Sequence, residues 1–352
     1  MHEERPKVVW VGQPRSPAGV PRPDQARRAI DIEPVRAPRR LADWPRAFAR
    51  ISILAAGGPL PVVHLESAAL APFGRLLRAR LGAPVSAAAR PEDLCDGLTP
   101  GLARALDQLD EAFVFGSDSM EVVGAATRRV VVTRLPAAAH PLPRADGAAV
   151  QRVWRCLRAA DPRRPVVILP WPENRVSRRR LREGMLPRLP AGVTYAIIGG
   201  PAGWPAGYRL RIAGRDVIGC VADLDPWGIA ALAAAADAVV VAGELRDGPD
   251  GDAALRLSLA VSGAPVVAFA ADADVLDHEQ SALLAPANDA RALARALASV
   301  LALPPVQQRA LGSAFAAHAL RAHPEAAFWE ACRARFLALA GRPPVPEALR
   351  SA

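Results

Sequence analysis

The sequence predicts an α/β protein of two Rossmann-like domains, each a doubly wound parallel sheet, and three observations lead there. In the second half, Val166–Leu169, Tyr195–Gly200, Val217–Val221, Ala238–Ala242 and Pro265–Phe269 are short apolar runs, each followed by a segment able to form a helix. Such runs, rich in β-branched residues, are too short for helices. Their alternation with helical patterns makes them buried strands of a parallel sheet. Right-handed crossovers then place helices on both faces. The first half repeats the pattern with Val8–Val11, Val62–Leu65, a short strand at Val85, Phe113–Phe115 and Val130–Thr133. The third observation is punctuation: Gly199-Gly200 closes one strand and Ser262-Gly263-Ala264-Pro265 introduces another. Glycines at the carboxyl ends of parallel strands are where such sheets bind nucleotides or phosphates.

In chain order, the strand Val8–Val11 leads into a proline-rich loop containing Pro17-Ala18-Gly19. Helices are expected over Asp43–Leu54 and Leu70–Leu81, either side of the strand Val62–Leu65. The Pro- and Ala-rich loop from Leu135 to Gly147 marks the domain boundary. The expected division is therefore 1–145, 146–340 and a tail, 341–352.

Composition narrows the class. With 51% hydrophobic and 22% charged residues, the 352-residue chain suits a folded protein with room for two cores. No secretory leader or span is recognised, because the longest apolar stretch, Ile229–Ala242, is interrupted by Asp237. Cys95, Cys156, Cys220 and Cys332 have no metal-ligand spacing, and a reducing cytoplasm is expected. The net charge of +9 rests on arginine, with ten arginines between Arg152 and Arg182. A solvated basic face and a phosphate site are both open readings, since Arg offers carboxylates and phosphates a bidentate fork. No nucleic-acid motif accompanies the cluster, so nucleic acid is not an expected partner.

The helix Asp43–Leu54 carries Trp44, Phe48 and Ile51, with Arg39, Arg40, Arg46 and Arg50 close by. That pattern fits peripheral contact with an anionic membrane surface, or an ordinary core-facing helix with solvated arginines. His64, at a strand end, has two readings as well: a substrate contact or a satisfied structural hydrogen bond. Asp272-Ala273-Asp274 resembles a metal-binding D-x-D, but it follows a strand, and no metal is expected there.

Several segments resemble the GT-B glycosyltransferases, specifically the retaining family usually numbered four. Val62-Val63-His64 is similar to that family's D-V-V-H strand, and Leu81-Gly82-Ala83-Pro84-Val85 to its L-G-x-P-V-V. Phe115-Gly116-Ser117 looks like its V-x-x-S, and Val130 to Pro143 like its link between domains. Ile197-Ile198-Gly199-Gly200-Pro201 resembles L-x-I-V-G-x-G-P, Val217 to Val241 resembles V-x-F-L-G-x-V through A-A-A-D-V-F-V, and Gly263 to Ala268 resembles G-T-P-V-V-A. The resemblance covers nearly the whole chain, and its specificity lies in the order and spacing of the pieces.

It implies two domains facing each other across a cleft, the first for the acceptor and the second for a nucleotide-diphosphate sugar. The family places two glutamates eight residues apart before G-T-P-V-V; here the second place holds Ser258 and the first Asp250, with Asp247 or Glu244 as alternatives if the loop is lengthened. Asp250 and His64 are the catalytic candidates, with Asp250 orienting the sugar hydroxyls. Gly19, Arg175, Arg179, Gly199, Gly200 and Ser258 are the donor-binding candidates, expected to converge on one pocket. Breaking the bond from sugar to diphosphate develops an oxocarbenium-like sugar and negative charge on the leaving phosphate. Arginines and helix N-termini stabilise that charge without a metal or other cofactor. The expected activity is metal-independent, retaining sugar transfer to a carbohydrate or lipid-linked acceptor, in the cytoplasm or at the inner membrane face. Ser258 in place of a glutamate opens an alternative: a catalytically degenerate scaffold that binds a nucleotide or a partner.

Overall fold

The structure is a computed structural model that describes residues 5–12, 29–38, 40–94, 98–115, 117–139, 163–170, 179–198, 208–220, 226–241, 251–270 and 276–341. Main-chain contacts divide the chain into two compact units. The first holds Met1–Ala137 and Glu325–Ala352, and the second Ala138–Asp247 and Gly251–Pro324.

In the first unit, strands β1 (Lys7–Val11), β2 (Asp31–Val35), β3 (Val62–Leu65), β4 (Val85–Ala88), β5 (Glu111–Val114) and β6 (Val131–Arg134) form one sheet. Their order is β2-β1-β3-β4-β5-β6, and every neighbouring pair is parallel. Because side chains alternate along a strand, each strand supplies both faces. Val9, Val11, Val63, Leu65, Val85, Ala87, Ala112 and Val114 join Ala47, Ile51, Phe73 and Leu77 of two helices, Trp44–Ala56 and Ala71–Leu81, in one core. Trp44 and Phe48 belong to that core too, with the Trp44 ring 5.3 Å from Phe73. These aromatics are therefore not the membrane-facing groups that the helical pattern offered. The helix Ala71–Leu81 ends at Gly82, whose φ of +67° is the left-handed conformation a helix stop requires.

The alternate residues Trp10, His64, Ser86, Glu111 and Phe113 face the other way, and the C-terminal helix Glu325–Ala340 covers them. Phe336 lies 5.5 Å from Phe113 and Trp329 lies 6.2 Å from Trp10, centroid to centroid. Arg335 Nε donates to the fully buried carboxylate of Glu111 at 2.6 Å. Thr133 Oγ1 donates to the same oxygen. This placement revises the expected division at residue 340: the last helix completes the first unit. The buried thiol of Cys332 lies on it, its pKa raised by burial.

The second unit contains β7 (Val166–Pro170), β8 (Thr194–Ile198), β9 (Tyr208–Ile212), β10 (Arg215–Cys220), β11 (Ala238–Val241), β12 (Val266–Phe269) and β13 (Leu283–Ala285). The sheet order is β13-β12-β11-β7-β8-β10-β9. Six strands are parallel; β9 runs antiparallel to β10, a correction to the wholly parallel sheet expected. The hairpin turns through Ala213 and Gly214, with φ of +51° and +76°, the pair of positive values that matches strand twist. Val167, Leu169, Tyr195, Ile197, Val240 and Val267 pack under Leu293 and Leu297 of the helix Ala290–Leu301. Gln308 Nε2 then donates to the carbonyls of Val300, Leu301 and Leu303 at 3.1, 3.3 and 3.0 Å, capping that helix.

Ser262-Gly263-Ala264-Pro265 enters β12 from its amino end, so it lies at the sheet edge away from the carboxyl ends. Its role is packing: a Cβ added at Gly312 would stand 2.0 Å from the carbonyl oxygen of Gly263.

Candidate functional site

Parallel sheets bind ligands outside the carboxyl ends of their strands, where the winding direction reverses. In the second unit, β7 is the first strand; β8 and β10 follow on one side, and β11, β12 and β13 on the other. This is the dinucleotide-binding order, and its reversal falls between β7 and β11. β7 ends at Pro170 and β11 at Val241. Arg175 follows the first of these strands in sequence, and Asp250 immediately precedes the helix Gly251–Ala260 after the second. Gly199 and Gly200 follow β8 directly. Arg175, Gly199, Gly200, Asp250 and Gly19 lie outside the described residues, as do Trp204 and Asp272 to Asp274.

Two donor-site candidates are described. Ser258, in the helix Gly251–Ala260, is 6% exposed between the buried Leu257 and Leu259. Arg256, on the same helix and 7% exposed, was not singled out from sequence. The available signal was one arginine inside the run Ala253 to Ala260, whose other residues are apolar apart from Ser258. Buried guanidinium groups are rare enough that this one marks the helix after the reversal point as chemically unusual. Arg179, by contrast, stands at the start of the π-helical segment Arg180–Met185 with its side chain 78% exposed. Its Nε donates to Glu183 Oε2 at 2.8 Å, and this hydrogen bond and the carboxylate charge raise its pKa.

The first unit has its own reversal, between β1 and β3. Gly12 follows β1 with φ of +121°, its N–H donating to the Val35 carbonyl at 2.7 Å. A Cβ here would stand 2.1 Å from Cδ of Glu66, so the missing side chain makes room for a carboxylate at the reversal point. Arg90 Nε donates to the Glu66 carbonyl at 2.8 Å. Asp93 accepts from Ser67 Oγ at 2.6 Å, and from the N–H groups of Ala68 and Arg90 at 3.0 and 3.1 Å. The loops after β3 and β4 are thus tied together, holding Glu66 and Arg90 at the carboxyl edge. Neither was chosen as a site residue from sequence, because their association depends on the β3–β4 pairing.

His64 is placed differently from expectation. It is 2% exposed, with Nδ1 2.9 Å from Ser86 Oγ and its ring 4.3 Å from Trp10, 5.3 Å from Phe113 and 5.4 Å from Phe336. Burial, then the Arg90 charge, depresses its pKa to about 3. This is a neutral core imidazole with a satisfied hydrogen bond, enclosed by aromatic rings and out of reach of a substrate. The catalytic reading of His64 is therefore withdrawn in favour of the structural one. His64 belongs to the first unit and Arg179 and Ser258 to the second.

No family model matches this chain, and no curated protein matches it in sequence. Solved structures do match. HepE of Anabaena, solved in complex with UDP-glucose, has a TM-score of 0.60 at 14% identity, covering 94% of this chain and 99% of its own. Sucrose-phosphate synthase from Thermosynechococcus elongatus gives 0.61 at 14% identity, covering 96% and 100%. The α,α-trehalose 6-phosphate synthase of Burkholderia multivorans gives 0.57 at 16% identity, covering 96% and 98%. At these identities the likeness is one of fold: the chain has the GT-B fold of these glycosyltransferases over nearly its whole length.

Proposed function

We propose that this protein is a glycosyltransferase that takes a sugar from a nucleotide-diphosphate donor. The observation that carries the reading is the strand order of the second unit. Its reversal falls between β7 and β11, the strands that Arg175 and Asp250 follow in sequence, in a fold shared with a protein solved with UDP-glucose. In this reading Arg175, the backbone of Gly199 and Gly200, and Gly19 bind the donor diphosphate. Asp250 orients the sugar and Ser258 the ribose. Arg179 supplies further positive charge, exchanging Glu183 for phosphate, an exposed pairing that costs little to break. Leaving-group charge is then met by guanidinium and backbone N–H groups without a metal, and the configuration at the sugar is retained. The acceptor, a carbohydrate or a lipid-linked one, meets the carboxyl edge of the first sheet at Glu66 and Arg90. The setting is the cytoplasm or its membrane face.

A panel of nucleotide sugars, UDP-glucose first, tests this by nucleotide release and thermal shift, with and without a chelator. Turnover that survives chelation is expected. Absence of both turnover and thermal shift with every donor would refute the reading.

A second reading, a nucleotide- or partner-binding scaffold without catalysis, is favoured by the buried Ser258 hydroxyl where the resembling family has a carboxylate, and by the enclosed His64. Donor binding without release of nucleotide would select it. Under either reading, Ser258→Ala weakens nucleotide binding about 2- to 10-fold, the worth of one hydrogen bond.

A further inference from the structure

The first sheet has two edge strands, β2 and β6, and the chain treats them differently. Along a strand, the N–H and C=O groups of successive residues point alternately to its two sides in the plane of the sheet. In β2, the Asp31 N–H donates to the Pro6 carbonyl at 3.1 Å and the Val35 carbonyl accepts from Gly12 at 2.7 Å. Asp31, Glu33 and Val35 therefore face β1, and the outward positions are Ile32 and Pro34. Proline at an outward position removes a donor that an added strand would need. In β6, the Val131 N–H donates to Asp110 at 3.4 Å and the Leu135 N–H to Val114 at 2.8 Å. Val131, Thr133 and Leu135 are thus spent on β5, and the main-chain groups of Val132 and Arg134 point off the sheet. Pro136, the next outward position, ends this edge.

The side chains along β6 fall into two sets. Thr133 reaches Glu111, so Thr133 and Val131 share the face under the helix Glu325–Ala340, where Val131 is 41% exposed. Val132 packs partly against the core on the other face, and Arg134 shares its side. From Val122 to Ala145 the chain carries Arg128, Arg129, Arg134 and Arg144 and no acid. Arg128, just before β6, and Arg134, its last residue, are exposed, and neither side chain is ion-paired among the described residues. The Asp107 carboxylate is turned to the main chain here, accepting the N–H groups of Arg128 and Arg129 at 2.7 and 2.8 Å.

We propose that β6 is a docking edge, where an extended acidic segment of another protein adds a strand to the first sheet. Main-chain bonds to Val132 and Arg134 supply the pairing, as in other cases of strand addition. An apolar side chain of the guest lies beside Val131, and its carboxylates meet Arg128 and Arg134. A second copy of this chain is a poorer guest, because it brings the same arginines to the edge on a chain of net charge +9. The charge that guards β6 against self-pairing is the charge that selects an acidic strand. The proposal does not rest on the sugar-transfer reading.

The test is residue-resolved amide exchange of the full chain with a capped (Val-Glu)4 peptide, alongside peptide anisotropy and sedimentation. At saturating peptide, exchange at Val132 and Arg134 should slow at least about tenfold, the worth of one hydrogen bond, while Val131 and Thr133 are protected already. A (Val-Lys)4 peptide should leave all four unchanged. Val132→Pro, an edge substitution that removes an outward N–H and spares the β5 ladder, should weaken peptide binding at least about tenfold. Arg128→Glu with Arg134→Glu should turn the preference to (Val-Lys)4, a reversal that loss of structure cannot produce. Thermal melting shows which variants are folded, and the charge reversal and the exchange pattern stand without Val132→Pro. No protection at Val132 and Arg134, equal binding of the two peptides, or an unaltered preference in the double variant would overturn the proposal. So would protection of these amides without peptide in a sedimenting dimer, which would make a second copy the occupant.

Discussion

Lowering the pH should loosen the first unit through one residue, His64. Its ring is enclosed by Trp10, Phe113 and Phe336, and burial together with Arg90 holds its pKa near 3, against 6.5 for an unperturbed histidine. Above pH 6.5 the imidazole is neutral in both folded and unfolded chains and its contribution is fully present. Below 6.5 the unfolded chain takes up a proton that the folded one refuses, so stability falls as pH drops toward 3. At about 1.4 kcal/mol per pH unit, the loss between pH 6.5 and 5 is about 2 kcal/mol, a large fraction of ordinary domain stability. His64→Asn places a side-chain amide near the Nδ1 position opposite Ser86 and removes the titration. It should cost about 1–3 kcal/mol at neutral pH through lost ring packing and show a flatter acid slope. Urea titrations across this pH range, with peptide-resolved hydrogen exchange to isolate β1 and β3, measure both slopes. Equal acid slopes in the two proteins, or an imidazole NMR titration near pH 6.5 in the folded state, would refute the reasoning.

Other perturbations test the packing. Arg335→Met strands the buried Glu111 carboxylate and should destabilise the first unit by about 3–5 kcal/mol, with Glu111→Gln on the same chain recovering part of it in urea titrations. Gly312→Ala, whose Cβ would meet the Gly263 carbonyl at 2.0 Å, should cost about 1–3 kcal/mol or more. Gly124→Ala, at an exposed position of the helix Ser117–Ala126 with nothing within 4 Å, should gain about 0.5–1 kcal/mol. Gly12→Ala should be destabilising and coupled to Glu66. If adding Glu66→Ala recovers none of the lost stability, the close approach of these two residues does not exist in solution.

Local pattern alone determined much of this protein. The ten apolar runs that predict strands all become strands: a buried parallel strand is apolar on both faces and that demand is written in consecutive residues, while β6, at the sheet edge, is partly exposed. The helices around Trp44 and Ala71 were legible from their periodicity. β2, β9 and β13 were not. β2 contains Pro34 and tolerates it only as an edge strand. β9 alternates arginine with apolar residues and is held by a hairpin turn lacking the usual Asn-Gly. β13, three residues long, is too short to show a period.

What only the tertiary structure decided are the pairings between residues far apart. The C-terminal helix completes the first sheet through Arg335 and Glu111, 224 residues apart in the chain. That helix turns His64 from a possible substrate contact into a core imidazole. The assembled core settles which side of the helix Trp44–Ala56 carries its aromatics inward and leaves Ile53 outside. Glu66 and Arg90 meet only because β3 pairs with β4. Hydrophobic periodicity is a property of neighbours along the chain and can be read from them. The burial of one polar group depends on what packs over it, and that is set by contacts the sequence does not order.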